Sequence, residues 1–316
     1  MITAILLLLI SLLSLYLGTG WLIRGTSSIA SRLRIPTLII GMTIIAFGTS
    51  IPELFISLRT NLHGLGDLAM GTVVGSNIYN ICIILGIAAL KSPLATRNKL
   101  DKLDTPVMIA ASFFLCYSLW DGHIGRMQGI SFLSAFVIYV FLRINLSMRQ
   151  AKKVEIIREP PHKYDFVLWI KDFMFIGCGI LVLIFSTGLL IDNSLIMAEG
   201  MGISQSSFAL TVIAAGSSLP ELATSFIAAK EKDPELAIGN VIGSNIFNAL
   251  CVVGICASAS PVNAPGIEHI DLVVMTGVSV LMLPLAFTKL KINRIEGGGL
   301  ILIYTTYAVA LLLGIF

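Results

Sequence analysis

Two short patterns each occur twice in this chain, and both copies are separated by the same interval of 168 residues. Residues 41–54 read GMTIIAFGTSIPEL and residues 209–222 read ALTVIAAGSSLPEL, identical at 8 of 14 positions. Residues 71–86 read GTVVGSNIYNICIILG and residues 239–254 read GNVIGSNIFNALCVVG, identical at 8 of 16. One constant offset means a duplicated half with no net insertion between the motifs. Each copy sets a glutamate, Glu53 or Glu221, inside an otherwise apolar stretch. A carboxylate there is costly in lipid and marks a functional site by default.

The solvent follows from composition. Hydrophobic residues make up 56% of the chain and charged residues 12%, where a soluble domain carries roughly 25% charged residues. Apolar runs of about 17–25 residues, enough to cross a bilayer, recur at 2–23, 37–58, 68–90, 106–120, 126–146, 172–196, 206–229, 235–259, 269–288 and 297–316. The expected fold is an all-α integral membrane protein of ten transmembrane helices, five per half. Residues 1–146 form the first repeat and 168–316 the second. The charged stretch 147–167, with Pro160–Pro161, joins them as a linker too short to be a domain. Loops on one side hold 19 of the 21 Lys and Arg residues, leaving only Arg59 and Arg126 opposite. That side is the cytoplasm, and both termini are then extracellular or periplasmic. The net charge of +3 is explained by this topology and calls for no nucleic-acid partner; lipid is the partner, and an oligomer is not implied. The first span reads as a retained helix rather than a signal peptide. Because five is odd, the halves insert in opposite directions, and the two glutamate motifs meet antiparallel near the bilayer midplane. Inverted repeats with interrupted helices are a signature of secondary transporters.

Pro52 and Pro220 directly precede the glutamates. Proline removes a backbone donor and opens the helix four residues back, which disturbs Gly48-Thr49-Ser50 and Gly216-Ser217-Ser218. Helical spacing puts Ala46, Thr49 and Glu53 on one face, and Ala214, Ser217 and Glu221 on its counterpart. Ser76 and Asn80, and Ser244 and Asn248, are likewise four apart. Carboxylates, hydroxyls, amides and carbonyls together suit hard cations such as Ca²⁺ and Na⁺. No histidine falls mid-span, which argues against zinc or iron, and no cofactor is implied. Cys82, Cys116, Cys178, Cys251 and Cys256 lie in apolar spans without CxxC spacing and read as buried free thiols. Two carboxylates match one divalent ion where uncompensated charge is expensive, so competition between one Ca²⁺ and several Na⁺ or H⁺ is a natural use of the site. Gly48, Gly75, Gly216 and Gly243 read as helix-packing contacts, and Asn77 and Asn245 as interhelical glue with ion contact the minor alternative. Asp67, Asp192 and Asp271 fall at span ends, where an interfacial, solvated role is expected.

GTSIPEL with GSNIYN, and GSSLPEL with GSNIFN, resemble the two alpha-repeats of the sodium/calcium exchangers within the cation/calcium exchanger superfamily, in its short prokaryotic form. The resemblance spans both halves. It implies antiport of Ca²⁺ against Na⁺ by alternating access in the cell membrane, with the first and sixth helices sliding past a core built from the others. The family's ligand positions fall on Ala46 (carbonyl), Thr49, Ser50, Glu53, Ser76 and Asn80, and on Ala214 (carbonyl), Ser217, Ser218, Glu221, Ser244 and Asn248. Asn248 stands where many relatives carry aspartate, Ser217 where threonine is frequent, and Thr72 where asparagine is usual. Exchange of Ca²⁺ or another divalent cation for H⁺ is the near alternative. An intramembrane hydrolase lacks a mid-span general base, and a passive channel lacks a filter pattern; neither an enzyme nor a channel is expected.

Overall fold

The computed structural model describes residues 2–32, 46–95, 101–151, 166–231, 234–283 and 291–315. Nearly all of them are helical. The expected stretch 37–45 and the greater part of the linker lie outside the described residues.

The two longest helices, Ile2–Arg32 and Phe166–Met201, exceed the spans expected for them. They pack on each other antiparallel, since Gly18 lies against Val182 while Gly25 lies against Asp172 and Ile176. Glycine is what permits this approach. A Cβ on Gly179 would sit 2.8 Å from the Gly18 carbonyl oxygen and 2.9 Å from the Leu22 nitrogen. Between helices in lipid, such close contact supplies the association that the hydrophobic effect does not. At one end Arg32 pairs with Asp172 at 3.1 Å.

The glutamate-bearing helices are broken where the prolines require it. Ala46–Thr49 is followed by Ile51–Leu62, and Ala214–Ser217 by Leu219–Lys230. Ser50 and Ser218 sit at the breaks with φ, ψ of −86°, 10° and −85°, 14°, outside the helical well. Gln205–Ser217 and Leu219–Lys230 meet at a bend of 49°.

A second irregularity was not expected. Gly66–Tyr79 passes through a π-helical turn, Asn80–Ile84, before Leu85–Lys91, and Pro234–Ile246 passes through Phe247–Val252 before Val253–Ala259. A third π-helical turn, Ala209–Ile213, precedes Ala214. Each adds a residue to a turn and rotates the side chains beyond it about the helix axis, and such turns are frequent at functional sites.

The two GSN-bearing rods form the centre of the bundle. Gly66–Lys91 and Leu236–Ala259 are 83% and 89% buried over their apolar windows, against 22–39% for the four other long apolar helices. Gly75 sets their approach to the neighbouring broken helix, because a Cβ there would meet Leu210 Cα at 2.7 Å and Ala214 Cβ at 2.8 Å. Six helices among the described residues are long and apolar enough to cross a bilayer, and the bent pair makes a seventh. Leu103–Ser118 and His269–Val280 are apolar but shorter. Two short antiparallel ribbons tie the ends: Leu94–Ala95 with Lys291–Ile292, and His123–Ile124 with Val262–Asn263. The chain is a multi-pass membrane protein.

One expectation fails here. Asp271 is not solvated: it is 1% exposed, accepts a 2.7 Å hydrogen bond from the Tyr307 hydroxyl and caps its own helix through the Glu268 backbone N–H. Its surroundings are supplied by residues distant in sequence, which local position does not reveal. Asp67 is part-buried and accepts from the Gly266 backbone N–H at 2.8 Å.

Candidate functional site

The two breaks face each other across the centre, and the hydroxyls and carboxylates cross over. Ser50 donates to Glu221 Oε1 at 2.7 Å, and Ser218 donates to Glu53 Oε1 at 2.9 Å. Each glutamate also accepts from the hydroxyl of its own half's GSN motif, Ser76 to Glu53 at 3.4 Å and Ser244 to Glu221 at 3.3 Å. The hydroxyls of Ser217 and Thr49 also lie near the carboxylate of the opposite half, Glu53 and Glu221 respectively. Ser76 and Ser217 lie 3.5 Å apart. All six hydroxyl-bearing residues and both glutamates are buried.

The crossing follows from backbone geometry. At each break the proline's missing N–H and the serine's non-helical ψ turn the Ser–Ser or Thr–Ser pair away from the helix axis. The Ser50 and Ser218 hydroxyls then point toward the facing break, while the Ser217 hydroxyl donates back along its own turn. Only the other half's carboxylate is within reach.

Ser50, Ser218, Ser76 and Ser244 all donate to an Oε1 atom. Glu53 Oε2 and Glu221 Oε2 are buried and find no hydrogen-bond donor among the described residues. The amide side chains repeat the theme. Asn80 donates to Asn245 Oδ1 at 3.0 Å, and Asn245 donates to the Asn77 carbonyl at 3.1 Å, leaving Asn80 Oδ1 and both polar atoms of Asn248 buried without a partner among the described residues. Asn245 thus bridges two helices, and Asn77 Oδ1 is likewise buried without a partner among the described residues. Asn240, at the position equivalent to Thr72, donates to Ser225 and to the Glu221 carbonyl and holds the bent helix against its neighbour.

Ala46 and Ala214 open the short helices before each break. The Ala214 carbonyl accepts from the Ser218 N–H at 3.1 Å and from the Ser217 hydroxyl at 3.2 Å. The proline removes the donor to Gly216, and Ser218 still closes the preceding turn. Among the described residues no group of three or more His, Cys, Asp or Glu side chains is arranged for a metal. Two carboxylates in a shell of hydroxyls and amides form an oxygen-rich centre, which suits hard cations over transition metals.

A cleft of about 350 Å³ reaches this centre from one side. Thr49 and Pro220 line it together with Tyr16, Gly20 and Arg24 of the first helix and Thr224 of Leu219–Lys230.

Broken helices, duplicated halves and a buried pair of acids define a membrane ion carrier. The sodium/calcium exchanger protein family matches residues 3–145 and 171–313, and the chain belongs to that family. It is a cation/Ca²⁺ antiporter and not an enzyme. The inner membrane protein YrbG of Escherichia coli (strain K12) is 35% identical over 268 residues, covering 83% of this chain and 81% of its own. The sodium/calcium exchanger MaX1 of Methanosarcina acetivorans is 27% identical over 343 residues, covering 97% of each. The solved sodium-calcium exchanger NCX_Mj, soaked with 2.5 mM Na⁺ and 1 mM Sr²⁺, is 26% identical with a TM-score of 0.69 over 97% of each chain.

Proposed function

We propose that this antiporter exchanges Ca²⁺ for Na⁺ across the cell's inner or plasma membrane by alternating access. In this reading, Glu53 and Glu221 jointly neutralise the divalent ion. Thr49, Ser50, Ser76, Ser217, Ser218, Ser244, Asn80 and Asn248 complete the oxygen shell, with the carbonyls of Ala46 and Ala214. The Ala214 carbonyl joins once the Ser217 hydroxyl turns from it to the ion. The observation that carries the reading is the crossed hydroxyl pairing, which directs donors to one oxygen of each glutamate and leaves the other buried oxygen without a donor among the described residues. Two buried anions in that condition are expensive alone and balanced by one Ca²⁺. Several Na⁺ supply the same charge with a different demand for ligands, so the two ions compete for one place.

The scheme has ten spans in two inverted halves, 1–146 and 168–316 joined by 147–167. In this reading the six long apolar helices, the bent pair, the two shorter apolar helices and the segment ending at Leu62 would be the ten. The helices Ile2–Arg32 and Phe166–Met201, equivalent by the repeat, run antiparallel, as inversion requires. The ribbons also exchange partners: Leu94 and His123 shifted by the repeat offset of 168 give Val262 and Lys291, the strands that pair with each other's counterparts. Both termini then lie outside.

The test is Ca²⁺ uptake into vesicles under an imposed Na⁺ gradient, set beside uptake under a pH gradient. Na⁺-driven uptake that persists when the pH gradient is collapsed is the expected result. Flux driven by the pH gradient alone would make H⁺ the coupling ion.

A further inference from the structure

Arg24 lines the same cleft as Thr49. It is exposed, and no carboxylate pairs with it among the described residues, where Arg32 is matched by Asp172 and Arg143 by Asp104. A fixed positive charge beside a cleft with mostly apolar walls raises the potential within it, because low-dielectric walls focus the field. An ion travelling to Thr49 crosses that field. The energy it costs scales with the ion's charge, so the penalty for Ca²⁺ is twice that for Na⁺.

We propose that Arg24 is a charge filter on the ion's approach through this cleft, one that disfavours entry of the divalent ion relative to the monovalent one on the side to which the cleft opens. The proposal rests on the antiport reading above, since it takes Thr49 as part of the ion site. Arg24 touches neither glutamate in this scheme. It sets which ion arrives, and the carboxylates decide which ion stays. A doubled exponent gives a specific relation: the factor by which Arg24 raises the half-saturating Ca²⁺ concentration is the square of its factor for Na⁺. From Thr49 and Pro220 the lining runs along Ile2–Arg32 as far as Arg24 and along Leu219–Lys230 as far as Ile227, toward the helix ends that carry Arg32 and Lys230. By the distribution of basic residues this is the cytoplasmic side.

The experiment has two arms on the full-length protein. In the first, Gly20→Cys is introduced into a background lacking the exposed Cys178 and the part-buried Cys116. A side chain fits at Gly20, where a Cβ would meet nothing within 4 Å. Its rates of modification by a trimethylammonium-bearing and by a sulfonate-bearing methanethiosulfonate are compared, with Thr224→Cys as a second reporter. Arg24→Gln is expected to raise the cationic-to-anionic rate ratio about tenfold, and Arg24→Lys to leave it near wild type. In the second arm, exchange is measured in vesicles of defined orientation. Arg24→Gln is expected to lower the half-saturating Ca²⁺ concentration on the cleft side by about ninefold and that for Na⁺ by about threefold. Both effects shrink in high concentrations of an inert salt, which a merely structural role would not produce.

A labelling ratio indifferent to Arg24→Gln overturns the proposal. So do equal shifts for the two ions, or shifts insensitive to ionic strength. If the wild-type protein shows no Na⁺-driven Ca²⁺ exchange at all, the antiport reading fails on its own, and the labelling ratio still decides whether Arg24 sets the potential of the cleft.

Discussion

Asp104 and Glu53 are both carboxylates buried in a membrane protein, and they are treated in opposite ways. Asp104 receives a 2.8 Å ion pair from Arg143 and a 3.1 Å hydrogen bond from the Tyr139 hydroxyl. Asp172 is matched by Arg32 and Ser28, and Asp271 by Tyr307 and a backbone amide. At the periphery, then, the fold answers its buried acids with its own donors on both oxygens or with a cation. At the centre it answers one oxygen of each glutamate with two hydroxyls and leaves the other without a donor among the described residues. The peripheral acids are structural joints. The central pair is complete only with a charge brought from outside, and that difference separates a site from a scaffold more sharply than burial does.

The comparison breaks most visibly if the central acids prove structural. Glu53→Gln and Glu221→Gln are each expected to reduce Ca²⁺ exchange by roughly a hundredfold or more while leaving thermal stability in detergent equal to wild type or higher, because an uncompensated buried charge is removed. Isotope flux and a melting curve on the same preparation check both halves of that statement; normal flux in either variant would move the site elsewhere.

Asp104→Asn should behave the other way. It leaves Arg143 facing a neutral amide and is expected to destabilise the protein by about 3 kcal/mol, with the folded fraction still exchanging ions. A melting temperature unchanged from wild type would show that the ion pair is not a joint.

Ser50→Ala and Ser218→Ala sharpen the central side. Each removes a hydroxyl bonded to a carboxylate of the opposite half, worth about 1.5–3 kcal/mol, and each is expected to weaken apparent Ca²⁺ affinity by about tenfold or more. The repeat makes the two losses similar. A large loss at one serine and none at the other, in parallel titrations, would show that the crossed pairs are not equivalent.

The smallest effect is expected at Asn248. Asn248→Asp adds a third acid beside the pair. Exchange at alkaline pH should stay within a few-fold of wild type, and activity should fall more steeply than wild type on the acid side as protons compete for the added group. Superimposable pH profiles would place residue 248 beyond the ion's reach.

Much of the site was legible in the residues themselves. The twice-repeated glutamate, its proline and the paired hydroxyls name their own site, because lipid penalises a stray carboxylate and because a duplicated accident is improbable. The helix breaks at Ser50 and Ser218 follow from proline's missing donor, a local matter. The π-helical turns at Asn80 and Phe247 were not legible, since no residue type demands them. Asp271 escaped for a related reason. Its sequence neighbours suggest an interface, while Tyr307, which buries it, is 36 residues away.

The chain alone determined which atoms are available: two acids, their hydroxyl companions, the breaks that expose them and the apolar solvent they must inhabit. All of that comes from local chemistry and from the cost of charge in lipid. Which hydroxyl meets which acid was decided only by tertiary structure. Ser50 lies three residues from Glu53 in sequence yet bonds to Glu221, 171 residues away, because a broken helix turns its polar corner toward whatever faces it, and only the packing of the two halves sets what that is.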